Sequence, residues 1–152
     1  MNKELALAIG EKINKAVTVL DREKKVARDY GTGFLLNHAE VHLLDTINRH
    51  RGENTSRIAQ RNGITKGAVA QITKKLLEKE LITAFQMPDN KKEVYFELTA
   101  LGKKAVSGHD RHHRRLNAGL EKYFETLSGK DMKTISTFLD KIIEGNSPAA
   151  RK

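Results

Sequence analysis

Six histidines are the residues whose type and spacing most directly suggest chemistry. Two pairs are spaced four residues apart, His38 with His42 and His109 with His113. On a helix, side chains at this spacing share one face about 6 Å apart, which is close enough for two imidazoles to hold one metal ion. The same residues can instead be ordinary surface histidines, or a sensor that titrates near neutral pH. The sequence leaves these roles open.

Basic side chains form the second pattern, because they crowd the middle of the chain. Between Arg49 and Lys79 the only acidic residues are Glu53 and Glu78. A local excess of positive charge attracts nucleic-acid phosphates, although a lone pair of lysines more often lies on a solvated helix face. The basic residues of this segment are Arg49, Arg51, Arg57, Arg61, Lys66, Lys74, Lys75 and Lys79.

The overall composition agrees with a polyanionic partner and excludes several other functions. The 152 residues include 28 Lys and Arg against 19 Asp and Glu, a formal net charge of +9. The absence of cysteine excludes disulfides, iron–sulfur clusters, thiol nucleophiles and Cys-type zinc sites. Aromatic residues make up 5% of the chain, so stacking on single-stranded bases is not expected as the main mode of binding.

Neither a membrane nor a catalytic role is expected. No apolar run approaches the roughly 20 residues of a membrane span, and the N-terminus lacks a secretory apolar block, so we expect a cytoplasmic protein. The segment His38–His42 superficially resembles a zinc protease helix, but that motif needs Glu directly after the first His. Glu40 lies two residues on, about 200° around the helix axis, and suits a helix cap better. We predict that the chain is not an enzyme.

The elements that position these residues follow from apolar periodicity and cap signals. An apolar stripe predicts a helix over residues 3–27, followed by a turn-rich stretch at 29–33. Asn37 is a good N-cap with Glu40 as its capping-box partner, and the second helix that it opens should end before Gly52.

Two further helices are joined by a tight turn. Asn54 or Thr55 caps a short helix that Asn62-Gly63 ends. Thr65 then caps a longer helix that runs to about Lys79, and two helices joined in this way are typical of a helix-turn-helix. The predicted buried residues of the longer helix are Val69, Ile72, Leu76 and Leu77.

A change of period then predicts a β-hairpin and two last helices. Residues 81–85 form a β-type run, 87–92 are turn material with a basic tip, and 93–99 alternate with Val94, Phe96 and Leu98 on one face. The predicted helices run from the cap Thr99 to about Thr126, and from Ser128, with Asp131, to about Glu144.

The block Thr55–Ile82 reads TSRIAQRNGITKGAVAQITKKLLEKELI, and PDNKK and LTALG follow it. These motifs and the order of the elements resemble the MarR family of bacterial transcription regulators over nearly the whole chain. The resemblance implies a mainly α fold with a small β-hairpin, and an obligate homodimer that binds pseudo-palindromic double-stranded DNA. Within a single domain, 1–152, the predicted boundaries are 35–100 for a winged helix-turn-helix lobe, 1–30 and 100–145 for dimerisation helices, and 146–152 for a frayed tail.

In this resemblance the helix that begins at Thr65 is the recognition helix. Small residues near its start let the backbone approach base edges, and Thr65, Lys66 and Gln71 offer groups for direct readout. The lysines one turn later lie toward phosphates, and the basic hairpin tip can reach the minor groove. The predicted DNA-binding residues are Arg49, Arg51, Thr55, Ser56, Arg57, Thr65, Lys66, Gly67, Ala68, Gln71, Lys74, Lys75, Asn90, Lys91 and Lys92.

Three positions depart from the family pattern. The wing has Asp89-Asn90-Lys91 where the family has Asp-x-Arg, and Lys lacks the planar fork of Arg, so wing readout is expected to be weaker or displaced. Glu80 stands where Gly is common, so either that site is left-handed at a cost of about 1 kcal/mol or the helix ends differently. Asn62 replaces an apolar residue, which puts the packing under the turn in question.

The histidines resemble the ligand pattern of a zinc-sensing branch of the family. That branch has one His on the second helix, a His-x-x-x-His pair after the wing and an acid from the first helix. The resemblance therefore implies that His42, His109 and His113 converge on zinc. Glu23 is the nearest acid, although Lys24 competes for its place in the register, and the second, Cys-containing site of the branch is impossible here.

We predict a sequence-specific, DNA-binding transcriptional regulator and favour a repressor over an activator. A small-molecule or metal effector is expected to modulate its operator binding. The two recognition helices of a dimer would sit in successive major grooves about 34 Å apart, and an effector would change that spacing. The sequence establishes no cofactor with certainty, and zinc is the candidate. The alternatives are a constitutive DNA-binding module without an effector, and a winged helix that binds another protein.

Overall fold

The computed structural model describes residues 3–145, and within that range the chain is mainly helical. It contains two compact units, Met1–Asp110 and Arg111–Lys152, and the helix α5 runs from the first into the second. The predicted frayed tail at 146–152 lies outside the described residues. The elements are α1 (Lys3–Lys25), β1 (Arg28–Asp29), β2 (Leu35–Leu36), α2 (His38–Arg49), α3 (Thr55–Asn62), α4 (Lys66–Glu78), β3 (Ile82–Met87), β4 (Asn90–Leu98), α5 (Ala100–Phe124) and α6 (Gly129–Gly145).

The hydrophobic core of the first unit lies among α2, α3, α4, the hairpin and the start of α5. One face of each helix supplies the buried side chains, as the apolar periodicity predicts. The largest fully buried side chains are Leu36, Val41, Leu43, Leu44, Ile47, Ile58, Val69, Leu76 and Leu81.

The predicted capping box of α2 is confirmed and extends further into the fold. Asn37 Oδ1 accepts from Glu40 N at 2.9 Å, and Glu40 Oε2 accepts from Asn37 N at 2.9 Å. Glu40 is only 3% exposed, and its Oε1 accepts from Lys79 Nζ at 2.9 Å. The prediction that Lys79 is one of the cations that attract phosphates is therefore wrong, because its ammonium neutralises the buried carboxylate of Glu40.

The helix-turn-helix is closed by local caps. Asn54, and not Thr55, caps α3, since Asn54 Oδ1 accepts from Arg57 N at 3.0 Å. Gly63 ends α3 in the left-handed conformation with φ 62°, and the Thr65 hydroxyl accepts from Ala68 N at 3.1 Å to start α4.

Asn62 fits under the turn by hydrogen bonding. Its Nδ2 donates to Ile58 O at 2.9 Å, and its Oδ1 accepts from the Thr46 hydroxyl at 3.1 Å. A polar side chain is therefore accommodated where an apolar one was expected, because both ends of its amide have partners on α2 and α3.

The hairpin differs from its prediction at the tip and along one face. β3 and β4 pair antiparallel, and the two strands leave only Pro88 and Asp89 between them. Lys91 and Lys92, expected in the tip, therefore lie within β4. Phe96 is buried as predicted, whereas Val94 and Leu77 are each 38% exposed. The last two line one groove between α4 and the hairpin, to which Thr55 of α3 also contributes.

The N-terminal turn region contains a short sheet that periodicity does not reveal. β1 pairs antiparallel with β2, and Asp29 Oδ1 accepts from the backbone N of Thr32 at 2.7 Å and of Gly31 at 2.8 Å. These backbone hydrogen bonds, led by that of Thr32, lower the pKa of Asp29. Two-residue strands are too short to show an alternating pattern.

Two glycines let α5 approach the backbone of its neighbours in the first unit. A Cβ at Gly102 would lie 2.0 Å from Leu81 O, and one at Gly108 would lie 2.2 Å from Tyr30 O. Thr99 caps the helix as predicted, since its hydroxyl accepts from Gly102 N at 3.0 Å. These contacts set the position of the next residue on the helix, His109.

In the second unit α6 starts from the predicted cap. Asp131 N donates to the Ser128 hydroxyl at 3.2 Å, and Ser128 N donates to Asp131 Oδ2 at 3.2 Å.

Within residues 3–145, none of the helices has the length and apolar content that crossing a bilayer requires.

Glu80 is the non-glycine residue with positive φ, 53°, in the described part of the chain. It ends α4 in a Schellman arrangement, in which Leu81 N donates to Leu76 O and Glu80 N donates to Leu77 O, each at 2.9 Å. Of the two alternatives that the sequence left open at this position, the structure has the left-handed conformation.

We expect Glu80→Gly to raise the free energy of unfolding by about 1 kcal/mol, because Gly enters the left-handed region without the Cβ penalty. Urea denaturation at fixed protein concentration measures the change. Glu78→Gly, two residues earlier and inside α4, is the matched control and should lower stability. A loss of stability in both variants would contradict this account of Glu80.

Candidate nucleic-acid interface and histidine cluster

The predicted recognition helix, α4, has one face in the core and the other open to solvent. Val69, Thr73 and Leu76 are buried. On the opposite face Thr65, Lys66, Gly67 and Gln71 are exposed, and Ala68 is half-buried. The residues predicted to read bases therefore lie together at the exposed N-terminal end of one anchored helix.

The predicted phosphate-binding cations divide into two groups. Arg49 Nε donates to Asp45 Oδ1 at 2.8 Å. Arg61 makes a two-pronged pair with Glu53, with both N–O distances 2.6 Å, and this pairing lowers the pKa of Glu53. Within residues 3–145 the exposed basic residues of the predicted interface that make no ion pair are Arg51, Arg57, Lys66, Lys74, Lys75, Lys91 and Lys92.

The start of α3 lies beside the wing. Thr55 and Ser56 are half-buried, and the Thr55 hydroxyl donates to Val94 O at 3.4 Å. An isolated antiparallel bridge joins Asn54 to Tyr95. The strand β4 is therefore attached to the helix-turn-helix at the point where α3 begins.

Asn90 organises the tip of the wing. Its Oδ1 accepts from Lys92 N at 3.2 Å, and its Nδ2 donates to Glu93 Oε2 at 3.0 Å. Asn90 is half-buried, whereas Lys91 and Lys92 are exposed. Two of the predicted wing contacts thus face solvent, and the third has an internal role.

Sequence reasoning missed Glu93. Its carboxylate also accepts from Asn54 Nδ2 at 2.7 Å and from the Tyr95 hydroxyl at 3.1 Å. The hydrogen bond from Asn54 is the largest cause that lowers the pKa of Glu93, followed by Tyr95, Asn90 and the nearby charge of Lys66. An acid directly after two lysines in the predicted wing was the available signal.

The histidines of α2 and α5 lie close together. His42 is half-buried and His109 is 5% exposed. Their ring centroids are 5.0 Å apart, and a ligand nitrogen of one lies within 4.8 Å of a ligand nitrogen of the other. The Tyr30 ring packs edge-on against His109 at 5.4 Å. The predicted proximity of the second helix to the helix after the wing is therefore observed.

The remaining members of the predicted metal site differ in their surroundings. His113 is exposed one turn after His109 on the continuous helix α5, and ligand nitrogens of these two also lie within 4.8 Å. Glu23 is paired with Arg28 and is not part of this group. The His38 ring lies 3.9 Å from that of His42.

The donor set suits zinc. Neutral imidazole nitrogens bind Zn²⁺ at roughly 2.0–2.1 Å in tetrahedral sites, which places them about 3.4 Å from each other. The 4.8 Å limit on the nitrogen separations given above includes this distance. Three histidines would leave one coordination position for water or an acid.

The order of α2, α3, α4 and the β3–β4 hairpin defines a winged helix-turn-helix protein, a class that sets one helix against the major groove. Residues 36–94 match the model of the MarR family. This segment therefore belongs to the MarR family, as the sequence motifs indicate.

One curated relative is the HTH-type transcriptional regulator PchR of Bacillus subtilis (strain 168). It is 31% identical over 106 residues, which are 70% of this chain and 63% of PchR. The chain spans 63–64% of the length of the first curated relatives that it matches. These relatives are named as transcriptional regulators, which agrees with the expectation that the chain is not an enzyme.

Solved structures give the same fold. ZitR of Lactococcus lactis, a zinc-responsive MarR family member, superposes with a TM-score of 0.76 and 23% identity over 94% of this chain and 99% of ZitR. Wild-type ZitR in complex with DNA gives a TM-score of 0.73 with 19% identity over 91% of this chain and 97% of that chain. The predicted fold class, mainly α with a small hairpin, is confirmed.

Loss of a base contact and loss of a phosphate contact should have different effects on DNA binding in solution. We expect Gln71→Ala to weaken binding to a selected duplex about tenfold without altering the salt dependence, because a lost base contact costs about 1–3 kcal/mol. Lys74→Ala should instead reduce the slope of log affinity against log salt by about 0.9, the effect of one phosphate contact.

Fluorescence anisotropy at several salt concentrations measures both quantities. Lys130→Ala, a surface lysine of α6, is the control and should leave both unchanged. If neither Gln71→Ala nor Lys74→Ala differs from the unmodified chain, α4 does not form the DNA-contacting surface.

Proposed function

We propose that the chain is a homodimeric, sequence-specific regulator of transcription that binds double-stranded DNA, represses from a pseudo-palindromic operator and responds to zinc. The observation that carries this proposal is the exposed N-terminal face of α4, from Thr65 to Gln71, beside cations without an ion pair. Such a regulator works in the cytoplasm, where the chromosome is.

The DNA contact follows from the anchoring of α4. A recognition helix must present groups to base edges at a fixed angle, and the buried face of α4 supplies that rigidity. Thr65, Lys66 and Gln71 would read bases, with Lys74 and Lys75 on phosphates. Lys91 and Lys92 on β4 would contact the backbone or the minor groove nearby. Arg49 already donates its Nε to Asp45, so its contribution to this interface is expected to be small.

Dimerisation is supported by apolar side chains that the described chain leaves exposed. Neither α1 nor α6 has a buried residue. Leu7 is 71% exposed, Leu20 61% and Ile143 68%. Helices with apolar residues in this state require a partner surface. The domain assignment proposed here is thus one winged lobe at 35–100 with dimerisation helices at 1–30 and 100–145.

Zinc is supported by the position of the histidines. His42 belongs to α2, which packs in the winged lobe, and His109 and His113 belong to α5, which leads to the proposed dimerisation helices. A metal bound by these three would link the two helices. Zinc would bind more tightly to one spacing of the two lobes than to the other. It would thereby change the fraction of dimers whose spacing fits the operator. Zinc-responsive ZitR shares the fold. We retain Glu23 as an acidic ligand that would first have to leave Arg28.

Selection of bound duplexes from a random pool, with zinc and with chelator, tests the proposal. We expect an inverted repeat, and an affinity for it that changes at least about tenfold between the two conditions, equivalent to about 1.4 kcal/mol of coupling. His42→Ala should abolish the difference, because it removes the ligand that α2 contributes, and should leave the zinc-independent affinity in place.

His112→Ala is the matched control, since His112 lies on α5 but outside the three-histidine group, and it should keep the zinc response. An inverted repeat bound equally in both conditions would indicate a constitutive DNA-binding module. No enrichment of any duplex would indicate a winged helix that binds another protein.

A further inference from the structure

We infer that Glu93 is a positioning residue that holds the wing at the distance from the recognition helix that operator binding requires. The inference rests on the proposed DNA-binding function and adds a specific residue to it. Glu93 itself need not touch DNA, because its carboxylate is used within the protein.

The carboxylate gathers donors from three places in the winged lobe. Asn54 Nδ2, at the start of α3, donates to Oε1 at 2.7 Å. Asn90 Nδ2, at the tip of the wing, donates to Oε2 at 3.0 Å, and the Tyr95 hydroxyl donates to the same oxygen at 3.1 Å. A single side chain therefore ties the end of the wing to the helix that precedes the recognition helix.

Asn54 has two simultaneous roles that only an amide fulfils. Its Oδ1 accepts from Arg57 N and caps α3, while its Nδ2 donates to Glu93. Aspartate is an equally good N-cap but has no donor, and its charge would repel a neighbouring carboxylate. The pairing of Asn54 with Glu93 is thus a matched donor and acceptor.

The charge of Glu93 argues for a role of this kind. It lies in a basic stretch, directly after Lys91 and Lys92, and near enough to Lys66 to feel its charge. A negative charge at a phosphate-binding surface opposes DNA binding through the Coulomb term alone. The hydrogen bonds to the wing and to α3 offset that disadvantage when they hold the basic residues of β4 in the required place.

Glu97 provides a matched control because it lies on β4 four residues later, is exposed, and makes no side-chain hydrogen bond with the rest of residues 3–145. Removal of either acid deletes one negative charge from the same strand. If charge alone matters, Glu93→Ala and Glu97→Ala both strengthen operator binding or leave it unchanged. If Glu93 positions the wing, Glu93→Ala displaces the wing contacts and weakens binding about tenfold. This factor corresponds to a loss of about 1.4 kcal/mol of binding free energy.

Exchange of donor and acceptor gives a second test, in which the double variant has the net charge of the unmodified chain. Asn54→Asp keeps the cap of α3 but faces Glu93 with a second carboxylate, so binding should fall about tenfold, as for Glu93→Ala. The double variant Asn54→Asp/Glu93→Gln restores a hydrogen bond with its direction reversed, and should recover most of the lost affinity. A general loss of fold predicts no such recovery.

Footprinting on the operator identifies which contacts change. Hydroxyl radicals report the minor groove, so Glu93→Ala should lose protection flanking each half-site while methylation protection in the major groove persists. An affinity of Glu93→Ala equal to that of Glu97→Ala, or no recovery in the double variant, would overturn the inference. Failure of the unmodified chain to bind any selected duplex would instead reject the proposed function.

Discussion

The buried carboxylate of Glu40 is the constraint on which the arrangement of the winged lobe depends. Leaving a carboxylate unpaired in a protein interior costs several kcal/mol, so this group must keep its donors wherever the neighbouring helices lie. One donor is Asn37 N at the start of α2 and the other is Lys79 Nζ at the end of α4. Because Lys79 Nζ also donates to Leu35 O at 3.1 Å, three segments meet at one charge pair.

The position of this pair links the two candidate sites through the fold. α2 bears His42 one half-turn after Glu40, and α4 presents its opposite end to solvent for DNA. A displacement of α2 relative to α4 would stretch a buried charge-assisted hydrogen bond, so the two helices are expected to move together. His42 and the recognition helix are therefore attached to the same part of the first unit, and any change in spacing must arise elsewhere.

The sequence predicted local features well and long-range pairings poorly, for a physical reason. The caps at Asn37, Thr65 and Ser128 depend on residues within three or four positions, so their motifs state the geometry directly. Lys79 and Glu40 are 39 residues apart, as are Asn54 and Glu93, and composition cannot show which distant acid a given base will meet. The His42–His109 proximity was reached through the family resemblance, which supplies the topology that periodicity lacks.

The same long-range pairings change how the positive charge of the chain acts. A simple count assigns eight basic residues to the segment Arg49–Lys79, yet Arg49, Arg61 and Lys79 each meet an acid of the protein. Charge that is already paired releases fewer counterions on binding DNA than the count suggests. What remains is concentrated on the exposed parts of α4, α3 and β4. The net charge of +9 therefore indicates the class of partner, whereas the ion pairs determine which surface meets it.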